Sequence, residues 1–365
     1  MTDKKNNFCI IMAGGLGTRF WPMSRTENPK QFLDILGTGQ SLIQQTFSRV
    51  NKICPTENIY IVTNEMYYTT VQEQIPQLKP QQLITEPSRR NTAPCIAYAA
   101  YKINQINPDA KLLVAPSDHI ILEEEKFIKQ IETAIAATEE NDCLLTLGIK
   151  PTYPNTGYGY IQYDEEKNDL VKDVIYKVKL FTEKPEYEMA QQFIKSGDFL
   201  WNSGIFVWSL KSIIAAFQEY LPEMHKLFSS VKEHYNTAQE KERIKEVYTI
   251  CKSISIDYGI MEKAKNVYVL PSSFGWSDLG TWGSLYEQRT KDDNGNAIIG
   301  KNVMTYSTKN CVVNMPKEKL VVLQGLEDYI VVESDNILLV CKKEDEQDIR
   351  KFVNDVKIEK GEEYI

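Results

Sequence analysis

Histidine is scarce in this chain, with only His119, His225 and His234 among 365 residues. A His-built zinc centre or a Ser-His-Asp triad therefore has few possible members, which removes most hydrolase and metalloprotease readings. Paired cysteine motifs are missing as well. Cys9, Cys54, Cys95, Cys143, Cys251, Cys311 and Cys341 are scattered, odd in number and never spaced C-x-x-C. They read as reduced, buried thiols, which predicts a cytoplasmic protein. No apolar run reaches the roughly 18 residues of a membrane span. The polar start, 1–7, leads into only six apolar residues, 8–13, too few for a secretory core. Basic charge is not in excess: 42 Lys+Arg stand against 50 Asp+Glu, a net charge of −8. Such a chain has no global field for nucleic acid or an anionic membrane, so an anionic ligand must be held by locally clustered cations. Internal repeats and low-complexity tracts are absent too.

What is present is an alternation. Short β-rich apolar runs at 8–13, 59–63, 82–86, 111–115 and 143–149 are separated by helical patterns at 41–53, 66–74, 92–107 and 124–139. Strands spaced by helices predict βαβ units and an α/β fold with a mixed, mostly parallel sheet covered on both faces. Ligands of such sheets bind beyond the carboxyl ends of the strands, which singles out Gly14 onward, 86–91 and 116–119. Further on, strands are expected at 158–163, 173–181, 204–208 and 267–270, and helices at 186–196, 212–227, 237–248 and 279–288. A loop signal at Lys291-Asp-Asp-Asn-Gly-Asn296 precedes β-branched runs at 310–314, 320–323, 329–333 and 337–341 and a charged helix at 344–356. These features predict a domain boundary near 288, giving domains 1–288 and 289–365. The mixed charges of 342–363 read as a solvated face.

The sharpest motif is Ala13-Gly-Gly-Leu-Gly-Thr-Arg19, directly after the first strand and followed by Trp21-Pro22, Arg25 and Pro29-Lys30. Three glycines in four residues let backbone N–H groups turn toward an oxyanion with no Cβ in the way. Phe20 stands where a dinucleotide fingerprint needs glycine, and no Gly-Lys-Ser/Thr follows for a Walker loop. Pro22 and Pro29 are expected to keep the next segment extended, so that Arg19 and Lys30 reach over bound phosphates. Asp118 and Asp278 are isolated carboxylates in loops, and two carboxylates with phosphate oxygens make a typical Mg²⁺ set. Alone, either one fits a helix cap equally well. Glu86 follows the third strand, where one carboxylate would accept both N1–H and N2–H₂ of guanine. Arg89, Arg90 and Asn91 read either as support for base or triphosphate or as exposed surface. Trp201, Trp276 and Trp282 read as core before they read as a sugar platform.

The run Gly14-Gly-Leu-Gly-Thr-Arg19 through Pro29-Lys-Gln-Phe32 resembles the signature of the sugar-nucleotide pyrophosphorylases, specifically the mannose-1-phosphate guanylyltransferases. Further blocks are similar in the same order: Glu86-Pro-Ser-Arg-Arg-Asn-Thr-Ala-Pro94, Pro116-Ser-Asp-His119, Gly157-Tyr-Gly-Tyr160, Phe181-Thr-Glu-Lys-Pro185, Trp201-Asn-Ser-Gly-Ile205, Ser255-Ile-Asp-Tyr258 and Trp276-Ser-Asp-Leu-Gly280. The resemblance covers about 8–288 and implies a Rossmann-like nucleotidyltransferase domain that transfers GMP from GTP to mannose 1-phosphate. It places nucleotide contacts at Ala13, Gly14, Gly15, Gly17, Thr18, Glu86, Arg90, Asn91, Thr92 and Ser117. It places the sugar phosphate on Gly157, Glu183, Lys184, Asn202 and Asp257, and Mg²⁺ on Asp118 and Asp278. Arg19, Lys30 and Lys184, with the two aspartates, would carry the chemistry. Helix capping remains an equal explanation of Asp257, and a structural role is the default for His119.

By the same resemblance residues 289–365 form a small β-rich domain, with a left-handed β-helix as one form, and imply a homodimer. The helical end falls outside that pattern, and the segment is expected to carry none of the phosphate chemistry. Longer bifunctional members add an isomerase domain, and the length of this chain predicts no isomerase activity. Another sugar-1-phosphate nucleotidyltransferase, for a different hexose or a heptose, stays open as an alternative. A non-catalytic nucleotide-sugar sensor on the same fold is the other, and loss of Arg19, Lys30 or either aspartate would have favoured it.

Overall fold

The computed structural model describes residues 4–164, 170–172 and 174–365. The chain divides into two compact units. Unit 1 holds the described residues of Met1–Gly14, Gln44–Ser117 and Ile121–Trp276, and unit 2 holds Gly15–Ile43, Asp118–Ile120 and Ser277–Ile365.

The strands up to the last crossing between units are β1 (Asn7–Ala13), β2 (Ile59–Asn64), β3 (Leu83–Glu86), β4 (Lys111–Pro116), the two-residue β5 (Ile120–Ile121), β6 (Leu144–Ile149), β7 (Gly159–Asp164), β8 (Tyr176–Glu183), β9 (Phe199–Ser209), β10 (Val267–Ser272) and the two-residue β11 (Trp276–Ser277). Among them run helices α1 (Leu42–Val50), α2 (Tyr68–Gln74), α3 (Thr92–Asn104), α4 (Glu124–Glu140), α5 (Tyr187–Ser196), α6 (Leu210–Tyr220), α7 (Pro222–Ser230) and α8 (Glu240–Ile250). Unit 1 is built on one sheet in the order β3-β2-β1-β4-β9-β6-β10-β8-β7, with β7 also pairing β9. β3, β2, β1 and β4 are parallel, β9 runs antiparallel between β4 and β6, and β10 is parallel to β6. Their continuous apolar runs follow from burial on both faces: Cys9, Ile10 and Ile11 of β1 are inaccessible to solvent, as are Leu112, Leu113 and Val114 of β4. The strand order reverses between β1 and β4, so Gly14 and Ser117 leave the sheet at a switch point, with Glu86 ending β3 two strands away.

Four expectations need correction here. The helix expected at 212–227 is two helices broken at Leu221, because Pro222 cannot continue a helix and fits the first position of the next. The strand expected at 204–208 begins at Phe199, since Trp201 and Asn202 pair with β6 across an irregularity at Thr146/Gly148. The segment after the glycine run is not wholly extended: single 3₁₀ turns form at Thr18–Phe20 and Lys30–Phe32. Such turns need only three residues, and Pro29 precedes the second with a compatible φ of −69°. The strand expected at 173–181 starts at Tyr176, and Asp173 lies outside the described residues.

Unit 2 continues with α9 (Trp282–Gln288), β12 (Ala297–Ile299), β13 (Val303–Tyr306), β14 (Val312–Asn314), β15 (Val321–Gln324), β16 (Tyr329–Ser334), β17 (Ile337–Lys342) and α10 (Ile349–Lys360). Successive strands alternate between a β12-β14-β16-β17 sheet and a β13-β15 pair, parallel until the antiparallel β16–β17 hairpin. The chain thus coils around a narrow apolar interior of Cys311, Val313, Met315 and Val331. Strands β12 and β13 were missed because three- and four-residue strands leave little periodicity. α9 starts at Trp282 rather than near 279 because the Thr281 hydroxyl caps Ser284 N. A second core joins Phe20, Trp21, Leu279, Trp282 and Leu285 to Val312, Ile330 and Ile349, with the Phe20 and Trp282 ring centroids 4.9 Å apart. Among the described residues no helix is long and apolar enough to cross a membrane.

Trp282 is fully buried at the centre of this second core. Trp282→Ala is expected to destabilise unit 2 by about 3–5 kcal/mol, read as a lower urea midpoint by circular dichroism.

Candidate active site

In unit 2 the glycine run is pinned before it meets any ligand. Gly17 sits at φ 60°, and a Cβ there would lie 2.7 Å from the Lys30 Cβ and 2.9 Å from the Ser24 Oγ, so only glycine fits. Ser24 Oγ donates to Leu16 O at 2.8 Å and accepts from Lys30 N at 2.9 Å, while Gln31 donates to Gly15 O at 3.0 Å. The Lys30 side chain runs inward, with only 3% of the residue exposed. Its ammonium donates to Asp278 O at 2.8 Å and to Leu279 O at 3.0 Å, and pairs with Asp118 Oδ2 at 2.8 Å. One buried cation therefore gathers both loops that carry the expected metal ligands.

Burial works to raise the Asp118 pKa, but Lys30 and His119 outweigh it, so the carboxyl stays ionised below its usual range. His119 Nε2 lies 4.0 Å from Asp118 Oδ1. Asp278 Oδ1 accepts from Gly280 N at 2.9 Å, and a Cβ at Gly280 would collide with that carboxylate. Among the described residues no cluster of three or more His, Cys, Asp and Glu side chains suited to a metal occurs. Arg19 is half-buried and within electrostatic reach of Glu346 and Arg350, two residues beyond 288 that were not expected near it. Burial raises the Glu346 pKa, against the pull of Gly283 N–H, which donates to Oε2 at 2.7 Å, and of Arg19. No motif in the charged C-terminal stretch marks these two, since a helix of mixed charge reads as solvated.

Unit 1 holds the other expected residues in two clusters. Glu86, buried at the end of β3, accepts from the Tyr248 hydroxyl at 2.9 Å, and a Cβ on Gly14 would lie 3.5 Å from its Oε2. Burial pushes the Glu86 carboxyl up to about 7, with Tyr248 and Arg89 pulling it back. Several neighbours have structural partners. Asn91, at φ 69°, caps α3 through Thr92 N at 2.9 Å, and the Thr92 hydroxyl accepts from Ile256 N at 2.8 Å. Arg89 donates to the Tyr67 hydroxyl at 3.0 Å, and Arg90 O accepts from Ile254 N. Ala13 O accepts from Thr63 at 2.7 Å, and Ser117 N donates to Met12 O at 3.0 Å, extending the β1–β4 ladder. In unit 2, Thr18 opens the 3₁₀ turn that carries Arg19.

In the second cluster Lys184 pairs with Glu183 at the end of β8, and Lys184 takes a φ of 50°. Asn202 Nδ2 donates to Asp257 Oδ1 at 2.8 Å, and its Oδ1 accepts from Thr146 Oγ1 at 2.9 Å. The Asp257 pKa is raised, first by burial and then by the Glu183 charge, with Lys184 opposing both. Asp257 opens a π-helical turn, Asp257–Met261, a distortion frequent at functional sites. Gly157 N donates to Asn155 Oδ1 at 2.7 Å. Gly159 was not singled out, yet a Cβ there would meet Glu183 Oε2 at 2.5 Å and the Asn202 Cβ at 3.2 Å. Its signal was the second glycine of the quoted Gly157-Tyr-Gly-Tyr160 block. Thr146 and Tyr248 carry no local signal, because each acts through a residue far along the chain. Trp201 and Trp282 are buried, and Tyr158 stands edge-on to Trp201 and Trp276 at 5.0 and 5.4 Å.

Comparison with known proteins identifies the family. Residues 8–295 match the nucleotidyl transferase family, and 301–356 match the mannose-phosphate isomerase/GMP-like β-helix domain. A mannose-1-phosphate guanylyltransferase of Salmonella montevideo is 39% identical over 361 residues, which is 98% of this chain and 75% of that protein. A crystal structure from Thermus thermophilus, described as a mannose-1-phosphate geranyltransferase, superposes with a TM-score of 0.85 at 29% identity, covering 96% of this chain and 99% of that one. A structure described as a mannose-6-phosphate isomerase from Helicobacter pylori reaches a TM-score of 0.61 at 26% identity over 74% of this chain and 99% of its own. With matches over nearly its whole length, the chain belongs to the nucleotidyl transferase family, and within it to the mannose-1-phosphate guanylyltransferases that carry a β-helix domain.

Proposed function

We propose that this enzyme transfers GMP from GTP to α-D-mannose 1-phosphate, releasing pyrophosphate and leaving GDP-mannose. The observation that carries the reading is the buried Lys30, which gathers Asp118 and the Asp278 loop beside a glycine turn built for phosphate. The sugar phosphate oxygen attacks the α-phosphorus in line and pyrophosphate leaves, so catalysis is positioning and charge neutralisation. Arg19 steadies the leaving pyrophosphate on the N–H groups of Gly15, Gly17 and Thr18. Lys30 exchanges a carbonyl contact for the α-phosphate as charge develops there. Glu86 reads the guanine edge, with Ala13, Gly14, Arg90, Asn91, Thr92 and Ser117 around the nucleoside. Glu183, Asn202, Asp257 and Gly157 hold the sugar hydroxyls, and Lys184 pairs with the attacking phosphate.

Asp118 and Asp278 would hold Mg²⁺, a hard cation suited to an all-oxygen set of two carboxylates with substrate and water oxygens. Bound there, the ion would supply charge neutralisation to the phosphates. Asp118 being kept ionised fits that role. In this reading 1–288 is the catalytic domain and 289–365 the β-rich one, although the compact units cross that division. The protein works as a cytoplasmic homodimer.

The first test is pyrophosphate release with Mg²⁺, GTP and mannose 1-phosphate, beside glucose 1-phosphate, ATP, UTP and a mannose 6-phosphate isomerisation assay. Release confined to GTP with mannose 1-phosphate is the expected outcome. Release with another pair moves the substrate, none with any pair points to a sensor, and isomerisation alone overturns the reading. Arg19→Ala and Asp278→Asn are each expected to lower kcat at least about a hundredfold with unchanged circular dichroism, the size of one lost charge-stabilising contact. Either variant turning over at the wild-type rate removes that residue from the mechanism. Glu86→Gln is expected to weaken GTP relative to UTP in steady-state kinetics, and an unchanged preference refutes its role.

A further inference from the structure

We propose that Tyr248 is a positioning residue for base recognition, whose buried hydroxyl turns the Glu86 carboxylate so that the same carboxylate edge stays presented to the paired N–H donors of guanine. The inference rests on the reading of Glu86 as the base reader. Tyr248 is 1% exposed on α8, and its hydroxyl donates to Glu86 Oε1 across a sequence separation of 162 residues. Its ring is held by Tyr98, edge-on at 6.3 Å, and by Phe228, edge-on at 6.0 Å. α8 is fixed to α3 in turn: Tyr98 donates to Glu240 Oε1 at 2.7 Å, and Lys102 pairs with Glu240 Oε2 at 2.5 Å. Asn236 N donates to the same Oε2 at 2.6 Å. The position of the Tyr248 hydroxyl oxygen is thus set by the packing of its ring and helix.

The other oxygen, Glu86 Oε2, faces Gly14, where the missing Cβ keeps the approach open. A carboxylate left to rotate in such a site would present its two oxygens in varying directions. One anchored through Oε1 presents the same edge each time. Arg89 acts on Glu86 through its charge, while its guanidinium donates to the Tyr67 hydroxyl. A merely structural tyrosine would need only a neutral acceptor, whereas here the acceptor is a carboxylate that burial opposes. The groups that face Glu86 are Arg89 beyond β3, Cys95 and Tyr98 on α3, Tyr248 on α8 and Cys251 just after it. Burial places the Glu86 carboxyl near 7, and the Tyr248 hydrogen bond is one of the two interactions that lower it. Removing that hydroxyl leaves the carboxylate both less oriented and harder to ionise.

The test is Tyr248→Phe, which keeps the ring. Dissociation constants for GTP and for ITP, which lacks the guanine N2 amino group, are measured by calorimetry from about pH 6 to 9, with KM and kcat alongside. Wild-type GTP affinity is expected to fall as the pH drops through about 7, because the protonated acid no longer accepts both donors. In Tyr248→Phe that fall moves to higher pH, the preference for GTP over ITP shrinks about tenfold, and KM rises more than kcat falls. Should the variant not fold, Glu86→Asp draws the carboxylate back from the same hydroxyl and is expected to lose preference in the same direction. A folded Tyr248→Phe with unmoved preference and pH profile, beside a Glu86→Gln that has lost its preference, overturns the role of Tyr248. A Glu86→Gln that keeps its preference overturns the reading of Glu86 and this inference together.

Discussion

A single buried ammonium organises the glycine turn and the two aspartate loops of this enzyme. Lys30 would be costly to bury alone, and three acceptors from distant parts of the chain compensate it: Asp118 Oδ2 and the carbonyls of Asp278 and Leu279. The same contacts decide where the glycine turn ends, because Gly17 must be glycine for the Lys30 side chain to pass. Leu279, whose carbonyl serves the ammonium, lies in the same apolar core as Phe20 and Trp282. Charge compensation and packing thus hold one geometry, and the aspartates inherit their positions from it.

The carboxylates of unit 1 are organised differently. Glu86 and Asp257 are both pushed up by burial, but their partners differ. Glu86 has a tyrosine donor and a nearby guanidinium, which suits the base-reading role proposed for it. Asp257 faces Glu183 and Lys184 and is fixed by Asn202, which suits the sugar-phosphate site proposed there. Each carboxylate is oriented by a neutral donor from another element, which aligns it without cancelling the charge the ligand needs.

Much of unit 1 was legible in the chain because its strands are buried on both faces and its helices are long enough to show a period. The limits of β1, β2, β4 and α3 follow from apolar runs, from the Asn91 cap and from polar punctuation. Unit 2 was less legible. Its coil uses strands of three to six residues, and its core recruits Phe20 and Trp21 from a segment that reads locally as an active-site loop.

By itself the sequence determined the class of chemistry: a glycine turn after a buried strand, lone aspartates and lysines at strand ends, and the ordered blocks that carry the family likeness. Those features are local, since backbone freedom and the placing of a charge depend on neighbouring residues. Only the tertiary structure decided which groups meet. It brought Tyr248 to Glu86, Thr146 to Asn202, and Glu346 and Arg350 into the field of Arg19. Each pairing spans tens to hundreds of residues and is set by how helices and strands pack, which no local pattern of residues encodes.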